Sequence, residues 1–223
     1  MCCWKGCRPK QSVLKAGNDT VGESEFLKGG FLVIEGIDGA GKSTLCKMIG
    51  EHLAEDGYST AVTQEPTHDE IGSFIREGGV RGISQKAEAL LFVADRAVHT
   101  ERISKLIEKD IIVICDRYFA STVAYQSSGL NGETLDREWL INLNRPIMIT
   151  PDLTVLLDID PQKGLSRIEN REMTSKFEES EYLGNVRKEF LRLAGEFDFM
   201  VIDAEEDQNA IAERVIKEFK EKI

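Results

Sequence analysis

FLVIEGIDGAGKST, the stretch from Phe31 to Thr44, contains the pattern that decides the fold. Its first four residues are apolar, as in a buried strand of a parallel sheet, and a helical spacing of apolar residues follows the stretch. Between the two, Gly36, Gly41, Lys42 and Ser43 match G-x-x-x-x-G-K-[ST] in full. This order of strand, glycine-rich loop and helix predicts a phosphate-binding loop, the P-loop.

Each residue type in the P-loop has a chemical reason. Glycines allow backbone conformations in which successive N–H groups point at a phosphate, and the following helix directs its unpaired N–H groups at the same anion. Lys42 adds a positive charge, and the Ser43 hydroxyl suits a Mg²⁺ ion that keeps most of its waters. We therefore expect a nucleoside triphosphate here. The expected contacts are Gly36, Ile37, Asp38, Gly39, Ala40, Gly41, Lys42, Ser43 and Thr44.

Length, charge and hydropathy limit the other classes of protein. The chain has 223 residues, enough for one domain with a substantial core, and 41% of them are hydrophobic. A formal net charge of −11 argues against nucleic-acid binding, because a phosphate backbone would be repelled. No apolar run reaches membrane-spanning length, and the N-terminus lacks the apolar region of a secretory signal. We expect a cytoplasmic protein that binds neither nucleic acid nor membrane.

The N-terminal part and the cysteines predict no further chemistry. Residues 1–28 lack sustained periodicity, so we expect a disordered extension before a single kinase-like domain at 29–223. Three of the five cysteines lie in this extension, with no His or fourth Cys at metal-ligand spacing. The other two, Cys46 and Cys115, fall in a predicted helix and a predicted strand, which does not describe a disulfide framework.

Strand-like and helix-like segments alternate along the rest of the chain. Amphipathic segments predict helices, the longest at about Gln85–Lys109. The alternation predicts an α/β fold, a three-layer P-loop NTPase sandwich with a five-stranded parallel sheet flanked by helices. The four further strands are expected at Thr60–Thr63, Ile111–Cys115, Leu153–Asp158 and Met200–Ile202.

The end of the third strand narrows the class of P-loop protein. GTPases carry an N-K-x-D tetrapeptide, which this sequence lacks, and motor ATPases usually end this strand in Asp-Glu, whose Glu activates water. Here the strand ends in Asp116-Arg117. An arginine beside the metal-binding carboxylate suits a reaction in which two phosphate chains meet, so we expect phosphoryl transfer to another phosphate.

Six segments in one order resemble thymidylate kinases, of the nucleoside monophosphate kinase type. The resemblance implies that the γ-phosphoryl group of ATP is transferred to dTMP to give dTDP for dTTP synthesis. It also implies Mg²⁺ held by Ser43 and Asp116, and a homodimer. The segments are EGIDGAGKST (Glu35–Thr44), Glu65-Pro66, IGSFIR (Ile71–Arg76), LLFVADRAVH (Leu90–His99), DRYFASTVAYQ (Asp116–Gln126) and VRKEFLRLA (Val186–Ala194).

The resemblance further implies roles for single residues. It assigns Phe92 to the thymine ring, Arg96 to a base carbonyl and Asp38 to the sugar 3′-hydroxyl. It makes Arg76 and Arg117 a clamp for the acceptor phosphate. The full set expected at dTMP is Asp38, Glu65, Pro66, Arg76, Phe92, Arg96, Arg117, Ser121, Thr122, Tyr125 and Gln126. The expected catalytic set is Lys42, Asp116, Arg117, Arg167, Arg171 and Lys176, the last three in a lid at about residues 166–178.

Two departures from the family pattern and two alternative functions accompany this resemblance. Many thymidylate kinases read E-P-G-G-T-P where this chain continues Glu65-Pro66 with T-H-D-E, which predicts a differently shaped acceptor loop. In the lid, Ser175-Lys176 stands in place of D-R, so a point charge replaces a planar fork. The alternatives are a kinase for another deoxynucleoside monophosphate, such as dUMP, and a regulatory protein that binds nucleotide without turnover.

Overall fold

The computed structural model describes residues 28–78, 82–129, 134–168 and 173–223, and within 173–179 it describes the backbone alone. Five strands and eight helices alternate in these ranges. The strands are β1 (Gly30–Glu35), β2 (Ser59–Gln64), β3 (Ile111–Asp116), β4 (Leu153–Asp158) and β5 (Met200–Asp203). The helices are α1 (Lys42–Glu55), α2 (Glu70–Arg76), α3 (Gln85–Ile107), α4 (Phe119–Ser127), α5 (Arg137–Asn144), α6 (Pro161–Arg167), α7 (Met173–Phe197) and α8 (Gln208–Lys220).

The five strands form one parallel sheet in the order β2-β3-β1-β4-β5. Strand β1 lies in the centre and is buried along its whole length, because both of its faces are covered by helices. The P-loop follows β1 directly, and the loops after β2 and β3 begin at the same edge of the sheet. The predicted fold class is confirmed, including all five strands.

Helices cover both faces of the sheet. Helix α1 packs against β2, β3 and α8, while α3, α4, α5 and α7 contact one another and the remaining strand surface. The buried apolar side chains form one continuous core that includes most of β1, β3 and β4. The core therefore holds the carboxyl ends of the three central strands in fixed relation, and the loops of the site begin there.

Helix α6 was not expected from the sequence. Pro161 follows β4 closely and occupies the first turn of α6, where a missing N–H costs nothing. Asp160 caps this helix by accepting hydrogen bonds from the N–H groups of Gln162 and Lys163. Pro161 therefore begins a helix here.

Helix α3 buries charged side chains and exposes some of its apolar ones. Leu90 and Val98 keep 49% and 40% of their surface exposed, whereas Asp95 and Arg96 are buried. Leu90 and Val98 therefore form an apolar stripe on the outer surface and are not part of the core.

The remaining predictions concern the N-terminal extension, the lid and the absence of a membrane-spanning segment. Apart from Lys28, the expected extension at residues 1–28 lies outside them, as does Arg171 of the expected lid. The second half of the expected lid has helical backbone, because α7 already begins at Met173. None of the helices in the described ranges combines the length and apolar character needed to span a bilayer.

Candidate active site

The P-loop is held by direct backbone contact with α6. Gly39 has a φ of +80°, and a Cβ built on it would lie 2.1 Å from the carbonyl oxygen of Gly164. In turn, a Cβ on Gly164 would lie 2.7 Å from the carbonyl oxygen of Asp38. Because both positions need glycine, the loop and α6 approach more closely than side chains would allow.

Lys42 is buried at the start of α1, where nearby carboxylates offset only part of the cost of burying its ammonium. Its Nζ donates to the carbonyl oxygen of Ile37 at 2.8 Å. Burial, followed by the positive charge of Arg117, lowers the pKa of Lys42 to about 8. A phosphate group placed beside it would supply the missing negative charge, so the site is electrostatically prepared for an anion.

Asp116 and Ser43 meet where a divalent cation is expected. The Ser43 hydroxyl donates to Oδ2 of Asp116, while Oδ1 is buried with no hydrogen-bond partner among the described residues. A buried carboxylate oxygen without a partner is costly, and Mg²⁺ binds through one or two such oxygens while keeping its waters. No cluster of three potential ligand residues occurs in the described ranges. The residues present fit Mg²⁺ bound mainly through water and substrate phosphates.

A polar cavity of about 600 Å³ surrounds the P-loop and is suited to the phosphates of the donor. Arg167 reaches it from the end of α6 and lies 3.4 Å from the carbonyl oxygen of Gly39. The lining residues are Asp38, Gly39, Gly41, Lys42, Ser43, Thr44, Gln64, Glu65, Pro66, Asp116, Arg117, Arg167 and Gln208.

A second, more apolar cavity of about 430 Å³ lies between α3, α4 and α7. Its few polar groups converge on an apolar wall, as in sites for small organic ligands. The lining residues are Asp38, Glu65, Pro66, Gln85, Glu88, Phe92, Arg96, Arg117, Tyr118, Ser121, Thr122, Tyr125, Gln126 and Tyr182.

Arg117 lies on the boundary of the two cavities in a constrained conformation. Its φ is +69°, a region that non-glycine residues rarely adopt, and its N–H donates to the carbonyl oxygen of Ile34 at 2.9 Å. The guanidinium donates to Oδ1 of Asp38 at 2.5 Å and lies 5.1 Å from the centre of the Tyr125 ring. The backbone therefore aims this charge at the space between donor and acceptor.

Arg96 projects into the second cavity from α3 and is held on three sides. Its Nε donates to Oε2 of Glu65 at 2.8 Å, its Nη2 to Oγ1 of Thr122 at 2.9 Å, and its Nη1 to Oδ1 of Asn144. Only 1% of Arg96 is exposed. Because Phe92 lies one turn earlier on the same helix face, an aromatic ring and a fixed cation share one wall.

Glu35 connects the P-loop to the start of α4. Its carboxylate accepts hydrogen bonds from the N–H of Tyr118 at 2.8 Å, and from the N–H and hydroxyl of Ser121 at 3.2 and 2.5 Å. Burial raises the pKa of Glu35 to about 7, although these donors and Arg117 lower it. Tyr118 and Ser121, which follow Arg117 in the chain, are thus fixed to the last residue of β1.

Comparisons with known proteins agree on one family. The model of the thymidylate kinase family matches residues 34–215. The chain belongs to the thymidylate kinase family. It is 42% identical to a probable thymidylate kinase of Thermococcus kodakarensis over 83% of this chain and 95% of that one. To the Methanosarcina mazei relative it is 37% identical, over 88% and 98%.

A solved structure of the same family supports this assignment. The crystal structure of thymidylate kinase from Ehrlichia chaffeensis superposes with a TM-score of 0.67, at 28% identity, and covers 86% of this chain and 99% of that one. The family and the kinase class predicted from the sequence are confirmed.

Most of the residues expected from the resemblance to thymidylate kinases line one of the two cavities. Within the second cavity, the Gln126 amide is buried, and neither its nitrogen nor its oxygen has a partner among the described residues. Arg76 lines neither cavity. It donates instead to the carbonyl oxygens of Pro66, at 2.6 Å, and Thr67, which shapes the loop that departs from the family pattern. Arg171 and the side chain of Lys176 lie outside the described residues.

Several site residues were missed by sequence reasoning. Glu35 directly precedes the P-loop and His99 lies three residues after Arg96, so motif position and helix spacing would have indicated both. No local signal marks Asn144, which reaches Arg96 from α5, or Gln208, which reaches the donor cavity from α8. Tertiary packing alone brings these two to the site.

Proposed function

We propose that this chain transfers the γ-phosphoryl group of ATP to dTMP and so forms dTDP. One observation carries the proposal: the donor and acceptor cavities share Asp38, Glu65, Pro66 and Arg117 as common lining. Two ligands in these cavities would therefore meet at Arg117. Family membership supports the identity of the two substrates.

Transfer between two bound phosphates needs alignment and positive charge more than covalent chemistry. Lys42 would follow the terminal phosphates of the donor, and Arg117 would contact both the transferred group and the acceptor phosphate. Ser43 and Asp116 would hold Mg²⁺, which neutralises phosphate charge when bound. Arg167, which lines the donor cavity, would add a further positive charge beside the phosphates.

The acceptor cavity supports recognition of a pyrimidine base. Phe92 offers a ring for stacking, Arg96 a fixed donor for a base carbonyl, and the Gln126 amide both a donor and an acceptor without partners. Tyr125 donates to Oδ2 of Asp38 at 3.2 Å, so its ring lies beside the group proposed to bind the sugar. Its bulk favours an acceptor without a 2′-hydroxyl.

We also propose a homodimer and a cytoplasmic location. The exposed side chains of Leu90 and Val98 on α3, with Phe74 on neighbouring α2, form an apolar surface that a second copy would cover. Cys46 and Cys115 are buried free thiols, as is usual in a reducing compartment.

The test is a coupled assay of ADP release with ATP, Mg²⁺ and each nucleoside monophosphate in turn. We expect dTMP to be preferred over dUMP, dCMP and UMP, and Lys42→Met to abolish turnover as the matched control. Equal activity with all acceptors would favour the broader monophosphate kinase. Binding of ATP without any turnover would favour the regulatory protein.

A further inference from the structure

His99 lies on α3 behind the acceptor cavity and joins two residues of the β2 end. Its Nδ1 lies 2.9 Å from Oε1 of Glu65, and its Nε2 lies 2.9 Å from Oγ1 of Thr63. Only 5% of the residue is exposed. His99 does not line the acceptor cavity, so it would not touch the substrate.

The hydrogen-bond partners fix the tautomer of His99. Glu65 already accepts from Arg96 through Oε2, so its carboxylate is an acceptor on both oxygens. The proton of a neutral imidazole must then lie on Nδ1, which donates to Oε1. Nε2 is left as an acceptor, and the Thr63 hydroxyl donates to it. The hydrogen bonds that link Thr63, His99, Glu65 and Arg96 therefore have one consistent set of donors and acceptors.

These hydrogen bonds allow His99 to fix the orientation of the Glu65 carboxylate. Glu65 could rotate about its side-chain bonds if only one oxygen were held, and Arg96 would then be fixed by Thr122 and Asn144 alone. His99 holds the second oxygen, so the carboxylate plane is fixed and with it the Nε edge of Arg96. Hydrogen bonds that fix a ligand-binding group from behind are typical of precise sites.

We infer that His99 is a positioning residue for the acceptor site, which acts through Glu65 on the guanidinium of Arg96. The consequence for catalysis rests on the proposed function, whereas the effect on Arg96 does not. Removing the Glu65 contact should loosen Arg96 and weaken acceptor binding. The donor site should be affected much less, because Glu65 is the one member of this chain of residues that also lines the donor cavity. Removing the Thr63 contact alone should change little, because Glu65 still demands the proton on Nδ1.

Three variants separate these contacts. His99→Leu removes both hydrogen bonds, His99→Asn keeps a donor near the Nδ1 position, and Thr63→Val removes only the distal bond. We expect His99→Leu to raise the KM for dTMP about tenfold, the equivalent of one lost hydrogen bond to a charged group. The kcat and the KM for ATP should stay within about twofold. His99→Asn should recover most of the loss, and Thr63→Val should match the wild type.

A substrate-free measurement keeps the inference distinct from the proposed function. Hydrogen exchange of the Arg96 Nε–H, followed by ¹⁵N NMR, should speed up about tenfold in His99→Leu and remain slow in His99→Asn. Slow exchange in both variants would overturn the inference, whatever the acceptor is. Equal acceleration in both, or equal losses for both substrates, would reduce His99 to a space-filling residue and overturn it too.

Discussion

Arg117 and Asp38 form an ion pair across the boundary of the two cavities, with 2.5 Å between Nη2 and Oδ1. One partner comes from the end of β3 and the other from the P-loop. The pair therefore ties the acceptor side of the site to the donor side before any substrate is present. An acceptor that offers a phosphate to Arg117 and a hydroxyl to Asp38 would engage both partners at once.

Replacing Arg117 with lysine keeps the positive charge but removes the planar guanidinium. An ammonium cannot hold Asp38 and a phosphate with a planar fork, so we expect Arg117→Lys to lower kcat about a hundredfold. The KM for ATP should change little. Steady-state kinetics in both substrates provides the measurement, with Arg145→Lys at an exposed position as the control. A kcat close to that of the wild type would show that Arg117 does not act on the transferred group.

Replacing Arg96 should affect stability and acceptor binding together. Arg96→Ala leaves the Glu65 carboxylate buried without its cation, which should lower the free energy of unfolding by about 3–5 kcal/mol. It should also weaken dTMP binding and leave ATP binding nearly intact. Urea unfolding and calorimetric titration measure the two effects.

A double variant separates the two effects of Arg96. Arg96→Met with Glu65→Gln removes both charges, so much of the lost stability should return. Affinity for dTMP should stay low because the base carbonyl still lacks its donor. Recovery of dTMP affinity in the double variant would remove Arg96 from the base site.

Glu35 should make stability depend on pH near neutrality. Its carboxyl titrates near 4.5 in the unfolded chain and near 7 in the folded protein, so between these values only the folded state keeps the proton. The contribution of Glu35 to the free energy of unfolding is therefore fully present below about pH 4.5 and is lost as the pH rises through about 7. This contribution amounts to about 3 kcal/mol.

The Glu35→Gln variant isolates this effect. Glutamine cannot ionise, so the difference in unfolding free energy between variant and wild type should change between pH 5 and pH 8 by up to about 3 kcal/mol. Urea unfolding at the two pH values measures it, and the glutamine should gain relative to the wild type at the higher pH. A difference that does not vary with pH would mean that Glu35 stays ionised in the folded protein.

The exposed stripe of α3 should decide the oligomeric state. Leu90→Glu adds a charge to a surface that a second copy is proposed to cover, so the protein should become monomeric while its unfolding free energy in the monomer stays nearly unchanged. Light scattering after size exclusion measures the mass. Leu191→Glu on α7 is the matched control, since Leu191 is similarly exposed. The same mass in wild type and Leu90→Glu would place any interface elsewhere.

The sequence allowed the fold to be predicted because its signals are local. Most strands are short apolar runs, and the P-loop pattern fixes the order of strand, loop and helix around Gly36 and Lys42. The missed helix α6 is the exception with a clear cause. Proline just after an apolar run is typical of a strand end, whereas here Asp160 caps a helix that begins at Pro161.

The positions of site residues could be predicted only where their spacing in a motif determines which of them lie together. Phe92 and Arg96 share a helix face by spacing, so their common wall could be foreseen. The orientation of Arg76 could not, because the carbonyl oxygens of Pro66 and Thr67 that it contacts belong to a loop of unusual sequence. Contacts from distant helices, such as Asn144 to Arg96, depend on tertiary packing and leave no trace in local sequence.

The hydrogen bonds of Glu35 set a limit on how this enzyme could be redesigned. The residue directly before the P-loop also holds the beginning of α4, so a shift of that helix would be transmitted to the phosphates of ATP. Changes of acceptor preference must therefore come from side chains that do not touch this carboxylate. Phe92 and Gln126 meet that condition, and substitutions there would alter the choice of base while the transfer machinery keeps its place.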